Sequence, residues 1–148
     1  FITEHENTHQ VYSTCREIFI EGLQIQKSKM FFYLQKNIHD LNKSKGCKNE
    51  EDIINFLNNK VKLYENIKKI GLKSNINNNI EFMIDRNHNL VKINSGNHRF
   101  AISRILKLKK IPIEIKVMHE NCLGNNQNIK TNLKKINDII KNIEEKYA

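Results

Sequence analysis

The sequence predicts an α+β fold: a small sheet made of a β-hairpin and one further strand, a helix between hairpin and strand, and longer helices before and after. Three observations predict it. Ile80, Phe82 and Ile84 alternate with Glu81, Met83 and Asp85, and Ile111, Ile113, Ile115 and Val117 alternate again, the period of half-buried strands. Between them, Ala101, Ile102, Ile105 and Leu106 fall at helical spacing. Upstream, Asn49 followed by Glu50, Glu51 and Asp52 opens a segment that closes on Lys68, Lys69 and Gly71, the charge order of a capped helix.

Taken in order, Phe1 to Gln10 is polar. Its Glu4, His5, Glu6 and His9 could bind a metal or supply a base, but a terminal stretch of this kind is read first as a solvated arm. Val11, Cys15, Ile18 and Phe19 suggest a helix that Gly22 weakens. Ser28 is placed to cap a second, with Met30, Phe31, Leu34, Ile38 and Leu41 as its core stripe and Lys43 to Gly46 at its end. The Asn49–Gly71 helix buries Ile53, Ile54, Leu57, Val61, Tyr64 and Ile67. Lys73 to Asn79 is an Asn-rich linker. The hairpin runs out through Asp85, turns at Asn87-His88-Asn89 and returns through Leu90 to Asn94. A helix then begins at about Asn97 or His98, Lys107 to Lys110 closes it, and Pro112 stands near the start of an edge strand. After a loop from Glu120 to Asn128, a helix from Ile129, capped by Thr131, carries Leu133, Ile136, Ile140, Ile143 and Tyr147. It is expected to pack back on the domain, with a homodimer seam as the alternative to a monomer. One domain over residues 1–148 results, with a helical N-terminal extension (1–48), a core (49–119) and a C-terminal helix (129–147).

Composition narrows the function classes. A chain of 148 residues can bury a single core without disulfide or metal staples. Cys15, Cys47 and Cys122 are far apart and form no C-x-x-C pair, which argues against a zinc site or a disulfide framework; Cys122, near His119, is the nearest to a reactive candidate. The net charge of +9 invites a nucleic-acid partner, yet Lys is spread over every segment instead of gathered in one stripe, so charge alone supports polyanion binding weakly. No apolar run approaches a membrane span, and Phe1 to His9 lacks the basic-then-apolar order of a signal peptide. A soluble cytoplasmic protein without a membrane partner is the expectation, with Phe1 in place of Met leaving a start or leader upstream open.

Chemistry concentrates at Ser95-Gly96-Asn97-His98-Arg99. A glycine turn that opens a helix presents backbone N–H groups with no helical partner, a ready anion site. Gly96 would let a phosphate approach the backbone, His98 and Arg99 add side-chain donors, Arg99 as a fork suited to phosphate oxygens, and Lys92 on the preceding strand could add charge. No Walker-type glycine loop is present, so a nucleotide would be held differently from a P-loop enzyme.

Gly96-Asn97-His98-Arg99, followed by Leu106-Lys107-Leu108-Lys109-Lys110-Ile111-Pro112-Ile113 and preceded by a hairpin, resembles the signature of the ParB/sulfiredoxin-like superfamily. The likeness extends upstream to Leu63–Gly71, similar to that family's helix ending in Gly-Leu, and so covers about residues 60 to 119. It implies a ParB/sulfiredoxin-like small mixed sheet with a β-hairpin–helix–strand core. Two positions depart from the common pattern. Ser95 stands where an acidic residue is usual, and Asn97 stands where sulfiredoxins carry their catalytic cysteine; an amide cannot act as a thiolate, so sulfiredoxin chemistry is excluded.

The resemblance implies phosphoryl transfer from ATP or another nucleoside triphosphate to a small-molecule or glycan hydroxyl. In that mechanism Lys92, Ser95, Gly96, Asn97, His98 and Arg99 hold the phosphates, His98 also stabilises charge in the transition state, and Mg2+ bridges phosphate oxygens. A carboxylate must accept the proton of the attacking hydroxyl, and Asp85, Glu81 and Glu4 are the candidates, Asp85 preferred. His119, directly after the last strand, would contact substrate. Lys60, Lys62 and Asn66 become nucleotide contacts if the later half of the Asn49–Gly71 helix faces it, and solvated positions otherwise. The alternative is a non-catalytic, nucleotide-responsive DNA-binding or protein-interaction module, as in chromosome-partition members of the superfamily; the segment after Val117 is too short for the helix-turn-helix unit that those proteins append. A nuclease or toxin-like activity fits the charge, but no metal-ligand constellation supports it.

Overall fold

The computed structural model describes residues 10–73, 79–93, 95–123 and 129–147. Glu4, His5, Glu6 and His9, most of the Asn-rich linker and the loop 124–128 lie outside the described residues. The protein is mixed α+β, with five α-helices and one three-stranded sheet among the described residues. Contacts divide it into a helical unit, residues up to Leu72 with Asn97–Leu108, and a sheet unit, Lys73–Gly96 with the residues from Lys109 onward. This division cuts across the expected segments. Both the helix that ends at Gly71 and the helix that follows Gly96 join the N-terminal helices, because Ala101 and Ile102 of the latter are buried in the same core cluster as Cys15, Leu34 and Leu57.

The helical unit holds α1 (Gln10–Phe19), α2 (Lys29–Leu41), α3 (Glu50–Ile70) and α4 (Asn97–Ile105). Capping follows the sequence. The Ser28 hydroxyl accepts the Phe31 N–H at the start of α2, and the Asn49 side chain accepts the Asp52 N–H at the start of α3, while the Asp52 carboxylate returns a bond to the Lys48 N–H. Gly71 closes α3 at φ +74, its N–H on the Ile67 carbonyl. Between α2 and α3, Ser44 and Cys47 pair through their backbones, with Lys45 and Gly46 both at positive φ, so the link is a tight turn that fixes the stem of Lys45. α1 and α3 both pack on α4, and Met30, Phe31, Leu34, Ile53, Leu57 and Ile102 are essentially dry. At about 1.5–3 kcal/mol for each large apolar side chain removed from water, this core is the main source of the unit's stability.

The sheet unit holds β1 (Ile80–Ile84), β2 (Leu90–Lys92), β3 (Ile113–Met118) and α5 (Ile129–Tyr147). Strand order is β2-β1-β3, with β2 antiparallel and β3 parallel to the central β1. Ile80, Phe82 and Ile84 are buried, as their alternation predicts. β2 ends at Lys92, with Ile93 outside it, and Asn94 of the expected strand lies outside the described residues. β3 departs more clearly: Phe82 is opposite Ile115, but Met83 is opposite Val117, so Lys116 is an extra residue in a bulge. The bulge reverses the faces beyond it, and Val117, expected on the inner face with Ile113 and Ile115, is 52% exposed. α5 begins two residues before Thr131, the expected cap; Ile143 of the expected stripe is buried, as is Ile139 outside it, while Leu133 is 55% exposed. Lys135 Nζ donates to the Leu123 carbonyl (2.8 Å) and Lys146 Nζ to the Asn89 side chain (3.1 Å), which ties α5 to the loop after β3 and to the hairpin. No helix among the described residues is long and apolar enough to cross a membrane.

Candidate phosphate-binding site

In the helical unit, Asn97, His98 and Arg99 form the first turn of α4, where backbone N–H groups lack helical partners. The helix is anchored by buried Ala101 and Ile102 and by Ser103, whose buried hydroxyl donates to the Arg99 carbonyl at 2.7 Å. Asn97 is exposed, and His98 and Arg99 are half-buried. His98 meets the ring of Phe56 edge-on, with centroids 5.8 Å apart at 77°, and Lys60 Nζ lies 4.6 Å over the same ring. Phe56 and Lys60 are one turn apart on α3, the spacing at which helical side chains meet, and the ring face favours a cation there.

The charges around Lys60 are mostly of its own sign. Burial lowers its pKa first, Lys45 and Arg99 lower it further, and Cys15 acts in the opposite sense. Burial pushes the Cys15 thiol up to about 12, so at neutral pH it carries no charge and its compensation is absent. Arg99 is also lowered by burial, although a guanidinium remains charged at any working pH. Cations from the α2–α3 turn and from α4 thus act on one ammonium of α3, and among the described residues no carboxylate does so. Like charges held together at partial burial repel one another, and a nearby anion offsets that repulsion.

The remaining expected residues are in the sheet unit and form two groups. Glu81, Lys92, Ser95 and Gly96 surround the turn after β2. Lys92 Nζ donates to the carbonyls of Ile93 and Ser95, the latter at 2.6 Å, and Glu81 Oε2 accepts the Ser95 N–H at 3.2 Å while Oε1 lies 3.9 Å from Lys116. Gly96 has φ +86, and a Cβ there would stand 2.8 Å from the Ile80 Cα. Its bare face is therefore turned to the backbone of β1, a reason for glycine different from the approach of a phosphate.

Asp85 and His119 are at the other end of β1, about 13 Å along the strand from Glu81 at 3.3 Å per residue. Asp85 Oδ1 accepts the N–H groups of Asn87 and Asn89, both at 2.8 Å, and Oδ2 accepts the Asn89 side chain at 3.2 Å. These bonds, that of the Asn89 N–H foremost, hold its pKa below the ordinary carboxylate value. His119 Nδ1 accepts the Asn121 N–H at 3.2 Å, and the His119 backbone N–H donates to the Ile84 carbonyl at 2.9 Å. Cys122 is buried and its thiol donates to the Asp85 carbonyl at 3.2 Å.

Sequence reasoning missed Phe56 and Lys45. The i, i+4 pair of Phe56 and Lys60 was open to reading, whereas the approach of Lys45 and His98 depends on how distant segments pack. A shallow cleft of about 230 Å³ elsewhere in the helical unit, lined by Tyr12, Ser13, Arg16, Glu17, Glu21 and Lys29, holds the pairs Arg16–Glu21 and Glu17–Lys29 and none of the expected residues. No family model matches the chain, and neither a curated protein nor a solved structure does.

Proposed function

We propose that this protein binds the phosphate groups of a nucleoside triphosphate at the first turn of α4, with Arg99, His98 and Lys60 as the side chains that hold them. The observation that carries this reading is the set of like charges on Lys60: Lys45 and Arg99 act on it, and no described carboxylate does. The N-terminal turn of α4 adds N–H donors and the positive end of the helix dipole. Mg2+ would arrive on the phosphates, since among the described residues no group of three His, Cys, Asp or Glu side chains could hold it. The order hairpin, helix, strand, with β3 parallel to β1, supports a ParB/sulfiredoxin-like fold. Cytoplasmic residence, where nucleoside triphosphates are abundant, goes with this reading.

Binding is the core of the proposal, and phosphoryl transfer to a small-molecule or glycan hydroxyl is its extension. Transfer needs a carboxylate that can take up a proton at neutral pH. Asp85 is engaged by its own hairpin with a lowered pKa, Glu81 accepts the Ser95 N–H, and Glu4 lies outside the described residues, so the nucleotide-responsive module stands as the alternative to the transferase.

The test is titration calorimetry with ATP, CTP, GTP and inorganic triphosphate, each with Mg2+, on the parent, Arg99→Ala and Lys60→Met. Micromolar binding should weaken about 10- to 100-fold in either variant, the range expected for a charged hydrogen bond worth about 1.5–3 kcal/mol. Variants that bind as tightly as the parent would sink the assignment. An acceptor screen for phosphate transfer then separates transferase from module.

A further inference from the structure

α2 turns Met30, Phe31 and Leu34 into the core of the helical unit and leaves its other side exposed. On that side stand Phe32, 56% exposed, and Tyr33, 42% exposed, the two exposed aromatic residues among the described ones and neighbours in sequence. Lys36 follows Phe32 by four residues and Tyr33 by three, and Lys29 precedes them by three and four, so both lysines fall on the line between the rings. Lys29 Nζ lies 3.4 Å from Glu17, whereas no ion pair among the described residues involves Lys36, or Lys43 just beyond the helix end. Asp40, the one carboxylate of α2, lies 3.0 Å from His39 Nδ1. Phe32 meets the buried ring of Phe31 edge-on, with centroids 6.1 Å apart at 88°, which orients an exposed ring before any partner arrives.

We propose that this face of α2 binds single-stranded RNA, with bases stacked on Phe32 and Tyr33 and backbone phosphates beside Lys36 and Lys43. Stacking on exposed rings next to cations is the way proteins hold unpaired strands, because every base offers a ring face and every linkage a charge. A protein partner fits less well. The centre of a protein interface is depleted of lysine, and here Lys36 stands between the two rings. Leu41, the exposed aliphatic residue of α2, is five residues past Lys36 and so about 140° round the helix from it. A duplex keeps its bases stacked on one another and leaves the rings nothing to cover them. Ribose is favoured over deoxyribose by Gln35, exposed one turn after Phe32, whose amide both donates and accepts, as the 2′-hydroxyl does. The inference is independent of the phosphate reading at α4.

The experiment is fluorescence anisotropy on the full chain as parent, Phe32→Leu, Tyr33→Leu and Lys36→Met. The labelled probes are an oligouridylate, its deoxy counterpart and an abasic sugar–phosphate oligomer of the same length. Leucine keeps an apolar, helix-forming side chain and removes only the ring, so all three variants should melt with the parent. The parent should bind the oligouridylate most tightly and the abasic oligomer least. Each leucine variant should weaken the oligouridylate about tenfold and leave the abasic oligomer unchanged. Lys36→Met should weaken both alike and reduce the slope of log affinity against log salt by about 0.7. Leucine variants that bind the oligouridylate as the parent does would overturn the inference, as would a parent that binds none of the probes or does not prefer bases to the abasic oligomer. Equal affinity for the deoxy probe overturns the assignment to RNA. A parent that sediments as a dimer, beside a Phe32→Leu variant that does not, would give the face to a second copy of the chain and overturn the inference as well.

Discussion

Gly96→Ala tests the turn on which this reading of the sheet unit depends. The substitution adds one methyl group and imposes two costs. At φ +86 an L-residue is in the left-handed region, a penalty of about 1–2 kcal/mol. The new Cβ would also stand 2.8 Å from the Ile80 Cα and 3.2 Å from the Asn79 carbonyl oxygen, both backbone atoms that cannot rotate away. Overpacking of this kind costs about 1–3 kcal/mol. The total is about 3 kcal/mol, which for a chain of this size lowers the melting temperature by about 10 °C. Gly22→Ala is the control, because Gly22 also has positive φ (+68) but nothing within 4 Å of an added Cβ, so it should show the conformational penalty alone. The assay is urea and thermal unfolding followed by circular dichroism on the parent and both variants. If Gly96→Ala costs no more than Gly22→Ala, the close approach to Ile80 is not why glycine is there, and the case for a turn pressed onto β1 fails.

Two further outcomes follow from the same geometry. The lowered pKa of Asp85 means that its contribution to stability is fully present above the unfolded carboxylate value of about 3.9 and is lost as pH falls through the lower folded value. Asp85→Asn should accordingly flatten the acid limb of a stability–pH profile below about pH 4, and a variant with the parent's limb would refute the assignment. Ser28→Ala removes a hydroxyl that is fully buried, accepts the Phe31 N–H and donates to the Ile25 carbonyl, so it should destabilise the protein by about 2 kcal/mol in urea titration. A loss below about 0.5 kcal/mol would mean that the cap is not formed in solution.

Much of the local structure was legible because the signals are local. Ser28 and Asn49 cap helices where they were expected to, Gly71 ends one, and the alternation of Ile80, Phe82 and Ile84 names the buried face of β1, since each of these features depends on a few adjacent residues. The hairpin turn is legible in the sequence, but that the Asp85 carboxylate closes it is not. A turn-closing aspartate and a proton-accepting one have the same sequence signature, and only the N–H groups of Asn87 and Asn89 distinguish them. The single extra residue at Lys116 was invisible, because period-two patterning cannot reveal a bulge that arises from pairing with another strand. Val117 was misplaced for that reason.

By itself, the sequence determined the α+β class, the capped helices and the central strand, and it singled out Asn97, His98 and Arg99 as candidates. Tertiary structure alone decided which of the expected residues share a neighbourhood. It brought Lys45 and Lys60 to act with Arg99 in the helical unit and committed Glu81 and Lys92 to the backbone of the turn before Gly96. The physical reason is range. Capping and periodicity are settled within a few residues of chain, whereas a cluster of charges or a braced turn depends on contacts between segments far apart in sequence, whose approach is set by the packing of the whole core.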